Sequence, residues 1–476
     1  MKKPLVRASN GLKSGVVYTI STLFTRGLSI ITVPIFTRLM STEQIGIVNL
    51  YNSWYLLVSV VSTLSLTSGG FQLAMNKFED KRDQYESSVL TITSLMSLVL
   101  LAIYTLFREK LNTIIGLPDC LIYLLIFGCF VSPAQDFWMA RQRYEYKYKL
   151  SGSISFFTAI ISSLASVVIV LLMANNGFEE TASGRLIVNF IVVYGVASFF
   201  WIYIMAKGKT YFDREFWKFS LSLSLPLVGY SIAKQILDVS DRLMIDYFIG
   251  TSAVGIYGTL QSVSSISLVA WNAINASFIP YLFKNMEDRT KIKDISSHAT
   301  LLLSLYSLIA VLMTLFAPEI VKILATDEYY ESIYIMPPIS AGICLTTVFN
   351  MYSNVLVYYK HTLAIMIPAI IAAVMKIILN FIFLPMYGYQ AAAYTTLLSY
   401  IALAIMEGIA ATRIYKKINP RHKMLYNNKT IVFMSIFTIL ISLISVFLYK
   451  TTMLRYMISF IALACIIIVY TKKKRI

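Results

Sequence analysis

The stretch LPLVGYSIAKQILDVSDRLMIDYFIGTSAVGIYG, residues 225–258, decides how the chain is read. It is apolar enough to cross a bilayer, yet it carries Lys234, Asp238, Asp241 and Arg242. In a helix, positions 234, 238 and 241 follow i, i+4, i+7 spacing and share one face. An ionised side chain near the bilayer midplane costs several kcal/mol, so such residues face a bundle interior or a watery cavity. Two readings fit. Either the stripe lines a lumen, or Lys234 and Asp238 form a self-neutralising pair that holds two helices together.

The rest of the sequence supports a membrane solvent. Of 476 residues, 57% are hydrophobic and 14% charged, where soluble domains carry about 25% charged residues. The mean hydropathy is +0.69. The expected class is an all-α polytopic membrane protein. Cys120, Cys129, Cys344 and Cys465 are scattered inside apolar stretches without CxxC or His/Cys clusters. Neither disulfides, a metal site nor a cofactor is expected. The first apolar segment is long and lacks a small-residue cleavage site, so it reads as a span, not a signal peptide.

Apolar runs of about 20 residues bounded by charge mark spans. About fourteen occur, at 15–37, 46–72, 88–107, 119–140, 152–174, 186–206, 219–241, 252–281, 297–317, 332–358, 362–385, 389–412, 430–449 and 452–471. With the N-terminus in the cytoplasm, 30 of the 41 Lys and Arg fall on the inner side and 8 on the outer. Arg26, Lys234 and Lys376 remain within spans. This asymmetry is the positive-inside pattern. It predicts a multi-pass protein with both termini cytoplasmic, and it explains the net charge of +17 without nucleic acid.

An internal repeat follows. FTRLMSTEQIGIVNLY (36–51) and SDRLMIDYFIGTSAVGIYG (240–258) both contain Arg-Leu-Met and then Gly-Ile. Arg38 and Arg242 occupy matching positions 204 residues apart, both on the expected outer side. That predicts parallel repeats. The expected lobes are 1–218 (spans 1–6) and 219–423 (spans 7–12), with two extra helices and a basic tail in 424–476.

Chemistry can reside only in polar residues within spans. The expected cationic and polar lumen consists of Arg26, Lys234, Lys376, Gln261, Asn272, Asn275 and Asn380. Asp238, Asp241 and Glu407 are candidates for ion coupling. Ser- and Asn-rich faces also serve as helix–helix glue, and Glu407 also fits a position reaching cytoplasmic water. Trp54, Trp138 or Trp271 on a lumen face would offer stacking surfaces for sugars. Enzyme motifs fail. Gly208-Lys209-Thr210 ends like a P-loop, but Tyr203 stands where glycine is required. His298, His361 and His422 lie near expected span ends, leaving no embedded histidine base.

Four stretches carry a family resemblance. They are Pro34-Ile-Phe-Thr-Arg-Leu-Met with Gly46, the 225–258 stretch with Asp241-Arg242, NFIFLPMYGYQAAAYTTLLSY (380–400) and the basic ARQRYEYKYK (140–149). Together they resemble the Wzx-type polysaccharide flippases of the multidrug/oligosaccharidyl-lipid/polysaccharide exporter superfamily. The resemblance implies two six-helix lobes around a central cavity plus two C-terminal helices. It implies translocation of undecaprenyl-diphosphate-linked oligosaccharide across the bacterial cytoplasmic membrane, for O-antigen, capsule or exopolysaccharide assembly. Coupling to H+ or Na+ by alternating access, and a polysaccharide polymerase and chain-length regulator as partners, belong to the same expectation. A multidrug exporter of the MATE type, a lipid II flippase, and, from another class, a membrane polymerase or O-acyltransferase remain as alternatives. An exporter of cationic drugs calls for more lumen acids than Asp238 and Asp241. A membrane enzyme calls for a large outer loop or embedded histidine that the sequence lacks.

Overall fold

The computed structural model describes residues 24, 27–28, 30–145 and 147–460. Arg26, Cys465 and the basic C-terminal tail lie outside them. The described residues are mostly helical, with no strand among them. Among the described residues, ten helices are long and apolar enough to cross a membrane. The chain is a multi-pass membrane protein. The ten match ten of the fourteen expected spans, and the other four differ for identifiable reasons. Two, 15–37 and 452–471, fall mostly outside the described residues. The third is α10 below, which its own charges make too polar. The fourth, 252–281, is divided at Ser265 into two helices, Thr251–Ser264 and Ile266–Asn285.

The chain divides into two compact units, Met1–Gly255 and Ile256–Ile476. This division lies one long helix later than the 218/219 boundary read from the sequence. In the first unit, α1 (Ile30–Leu39) leads into α2 (Thr42–Thr63). Two short helices follow, α3 (Leu66–Gly69) and α4 (Phe71–Lys77). Then come α5 (Arg82–Leu106), the short α6 (Arg108–Ile115), α7 (Asp119–Tyr144), α8 (Tyr148–Asn175), α9 (Thr181–Gly208) and α10 (Arg214–Phe248).

Ser41 caps α2 by accepting from the Gln44 N–H at 3.3 Å. The Gln44 side chain, which a capping box would turn back on its own helix, instead accepts from the Ala182 N–H at 2.9 Å. It thus supplies a free donor at the start of α9 with a partner. Asp213 caps α10 through the Glu215 and Phe216 N–H groups. With 35 residues, α10 is about 50 Å long, well beyond a hydrocarbon core. The unit's core is aromatic: Phe71, Phe78, Tyr85, Phe137, Trp138, Phe200 and Phe216 pack among α4, α5, α7, α9 and α10.

The repeated glycines are packing devices. The helix Thr251–Ser264 is α11, and its first turn lies in the first unit. A Cβ on Gly46 would stand 1.9 Å from the Thr251 carbonyl oxygen, and one on Gly255 1.9 Å from that of Thr42. Each glycine follows the threonine of its own helix by four residues and meets the threonine of the other, so Thr42–Gly46 and Thr251–Gly255 cross reciprocally. Only glycine permits backbones to approach this closely.

In the second unit, α12 (Ile266–Asn285) and α13 (Ile292–Leu315) are followed by the short α14 (Ala317–Leu324) and α15 (Asp327–Tyr330). Next come α16 (Met336–Tyr358), α17 (Leu363–Tyr387), α18 (Gln390–Ile418) and α19 (Asn428–Ile444). α16 is the unit's axis and is buried along most of its length. α17 and α18 form a hairpin. Pro385 lies within the last turn of α17, and Gly388, at φ +70°, closes that helix and turns the chain in the left-handed region that glycine tolerates.

Candidate functional site

In the first unit, α10 lies along α2 by a ladder of side-chain bonds. Ser65 Oγ donates to Ser231 Oγ at 2.9 Å, Gln235 Nε2 to the Leu56 carbonyl at 3.3 Å, and Arg242 Nη1 to Ser53 Oγ at 3.2 Å. Positions 231, 235 and 242 share a face, so the ionisable stripe runs beside the contact line. Burial rises steeply along it. Lys234 is exposed, Asp238 half-buried and Asp241 fully buried. Lys234 and Asp238 do not form an ion pair among the described residues, so the self-neutralising pair is absent here. Arg38 is exposed, and its Nη1 donates to the Pro34 carbonyl at 2.8 Å.

In the second unit, Lys376 and Asn380 on α17 are both 0% exposed. The Thr395 hydroxyl of α18 donates to Asn380 Oδ1. Glu407 of α18 is 1% exposed and accepts from the Ser353 hydroxyl of α16. It therefore faces the helix-packed interior and not open water. Asn354 Nδ2 donates to Asn275 Oδ1 at 3.3 Å, tying α16 to α12. Gln261 is half-buried on α11. The Asn272 side chain lies outside what the structure describes. Two of the three tryptophans have their faces occupied: Trp138 packs on Phe200 at 4.4 Å and Trp271 near Tyr306 at 5.8 Å. Trp54 Nε1 donates to the Ile115 carbonyl at 3.0 Å.

Several charged residues escaped the sequence reading. At the ends of α5, α7 and α9, Arg141 gathers Asp83 (2.6 Å), Glu86 (2.5 Å) and Glu145 (2.9 Å). Lys207 adds a contact to Asp83 at 3.3 Å, and Lys147 one to Glu145 at 2.5 Å. Glu86 is 3% exposed. Partial burial pushes the Glu145 carboxyl up, but the Lys147 ammonium and the Arg141 guanidinium together outweigh it and hold the group below the usual carboxylate range. The basic run 140–149 is thus a clamp on three helices. Asp136 on α7 is exposed although residues 137–140 beside it are buried. Arg185, counted from the sequence as an outer loop charge, belongs to the second turn of α9 and is half-buried. Helical spacing was the available signal for Asp136 and Arg143, which follow i, i+7.

With this geometry in hand, comparison with known proteins decides the family. A family model described as "Polysaccharide biosynthesis protein" matches residues 12–286. The chain belongs to the polysaccharide biosynthesis protein family. Within this member, a second model, MatE, matches residues 226–382. The probable low-salt glycan biosynthesis flippase Agl15 of Haloferax volcanii is 20% identical to it over 402 residues, covering 83% of this chain and 82% of the relative. The lipid II flippase MurJ in an inward closed conformation shares its fold with a TM-score of 0.71 at 17% identity, over 97% of this chain and 100% of that one. An inward-facing multidrug resistance MATE transporter gives 0.60 at 15% identity, over 85% and 96%. The family member therefore has the fold of the multidrug/oligosaccharidyl-lipid/polysaccharide exporter superfamily. Its relatives are flippases and transporters, which bears out the expectation of a transport protein and not an enzyme.

Proposed function

We propose that this protein is a flippase that carries undecaprenyl-diphosphate-linked oligosaccharide from the inner to the outer leaflet of a bacterial cytoplasmic membrane, for O-antigen, capsule or exopolysaccharide assembly. The observation that carries the reading is the family match over residues 12–286, with a glycan flippase similar along most of both chains. The physical need is plain. A diphosphate and a row of sugar hydroxyls cannot cross about 30 Å of hydrocarbon bare. Fixed cations and polar donors lower that barrier. Lys234, open and without an ion pair among the described residues, is the first of these, and Arg26, Lys376, Gln261, Asn272, Asn275 and Asn380 are the further candidates. Asp238, Asp241 and Glu407 are candidates for coupling H+ or Na+ to the cycle. A polymerase and a chain-length regulator would act on the delivered units.

Export of cations in the MATE manner is the second reading. The MatE match over 226–382 favours it, as does Asp136, an acid the sequence reading did not count. Deleting the gene in its native host separates the two. The flippase reading expects lipid-linked oligosaccharide to accumulate on the cytoplasmic leaflet and surface glycan to disappear, restored by wild type but not by Lys234→Ala. Undiminished surface glycan together with new drug sensitivity would favour the second reading.

A further inference from the structure

Arg185 has an arrangement that neither helix packing nor the residues discussed above explain. Its guanidinium carbon lies 3.6 Å from the centroid of the Phe36 ring, at the end of α1. Phe36 is itself buried, so the platform is fixed. Among the described residues its one hydrogen-bond contact is from Nη1 to Met40 Sδ at 4.0 Å, to a weak acceptor. Every Asp and Glu of the chain lies among the described residues, and among the described residues none is within ion-pair distance of Arg185. Glu43, Glu179 and Glu180, the acids nearest in sequence to these helix ends, are exposed and turned to solvent.

A guanidinium stacked by its face on an aromatic ring keeps its in-plane N–H groups free. Those edges form the fork that matches two oxygens of a phosphate. Half-burying such a cation without a counter-charge is costly, and a structural latch to Phe36 would need only the face. One helical turn before it on the same face of α9, Thr181 is 4% exposed, and its Oγ1 has no hydrogen-bond partner. The pair stands at the start of a 28-residue helix, where the backbone dipole favours negative charge. The neighbouring Ala182 N–H is already taken by Gln44. Apart from the weak Met40 contact, the fork and the hydroxyl are what remain unfilled among the described residues.

We infer that Arg185 and Thr181 form a binding site for a phosphate or diphosphate oxyanion, with Phe36 as the platform that aims the guanidinium. The charge distribution along the chain assigns this end of α9 to the outer side. The site would hold the headgroup of the cargo at the exit, before release. The inference rests on the flippase reading and adds to it the residue that meets the diphosphate last.

The test is binding to the full-length protein in phosphatidylcholine nanodiscs, with undecaprenyl diphosphate and inorganic pyrophosphate as separate probes and thermal unfolding measured alongside. Arg185→Gln should weaken undecaprenyl diphosphate about tenfold or more, and Arg185→Lys, which keeps charge but loses the fork, should weaken it less. Phe36→Leu should also weaken it, although the charge is intact. Pyrophosphate binding with the same dependence on Arg185 identifies the free oxyanion as sufficient. Binding of the lipid alone identifies a lipid-borne headgroup as the ligand. Unchanged affinity in folded Arg185→Gln overturns the site and reduces Arg185 to a latch, while leaving the flippase reading intact. If Arg185→Gln does not fold, unchanged affinity in both Arg185→Lys and Phe36→Leu overturns it equally. Wild type that binds neither probe defeats the site together with the anionic-cargo reading beneath it.

Discussion

Arg141 is held by three carboxylates, and the most buried of them, Glu86, depends on it. Removing the cation leaves Glu86 desolvated and unpaired. Arg141→Ala should therefore cost about 3–5 kcal/mol of stability, the usual penalty for breaking a buried pair. Glu86→Gln should cost less, and the double variant should recover part of the loss. Chemical denaturation in mixed micelles would measure this, and additive losses would mean that the two side chains do not couple. Glu145 gives a pH dependence. Its folded pKa lies below the unfolded value of about 4.3. Its contribution is therefore fully present above that value and is lost as pH falls through the lower folded one. The stability difference between wild type and Glu145→Gln should shrink on acidification through about pH 4; a difference that grows would contradict the assignment. Single residues were legible in the sequence only where they stood alone in apolar surroundings. Lys234 and Lys376 were visible for that reason. Glu86, Arg141 and Arg185 were not, because each sits one or two turns inside a helix whose polar end resembles a loop.

Helices were easier to read than residues, but their ends were displaced. The run expected at 88–107 is a helix from Arg82, that at 119–140 continues to Tyr144, and that at 389–412 continues to Ile418. Hydropathy marks the thickness of hydrocarbon, whereas backbone hydrogen bonding continues into the headgroup layer and water. The two copies of Arg-Leu-Met and Gly-Ile pointed to a repeat, and the reason for the glycines emerged only from the crossing of α2 and α11. Gly46→Ala or Gly255→Ala places a methyl against a backbone carbonyl, which cannot rotate away. Each should cost about 1–3 kcal/mol, in the manner of overpacking. Gly195→Ala on α9, where a Cβ meets nothing within 4 Å, is the control and should be neutral or slightly stabilising. Equal stability of all three variants would mean that the crossing is not tightly packed.

At the scale of the whole molecule, composition and charge placement were enough for a polytopic helical protein, and the four quoted stretches were enough for its superfamily. The sugar of the cargo and the identity of any coupling ion were not legible, because they depend on a few side chains whose partners come from distant helices. Thr395 meets Asn380 only once α17 and α18 fold back at Gly388. The topology yields its own test. Reporters fused after Ile476 should be active on the cytoplasmic side, as 30 inner against 8 outer basic residues require. The central claim is tested most directly by translocation in purified vesicles. Proteoliposomes containing only this protein and a fluorescent undecaprenyl-diphosphate-linked oligosaccharide are treated with a membrane-impermeant quencher. The flippase account predicts that the inner-leaflet pool becomes quenchable at a rate that depends on the protein and falls sharply in Lys234→Ala. An inner-leaflet pool that remains as protected as in protein-free vesicles, with correctly folded protein present, would contradict it.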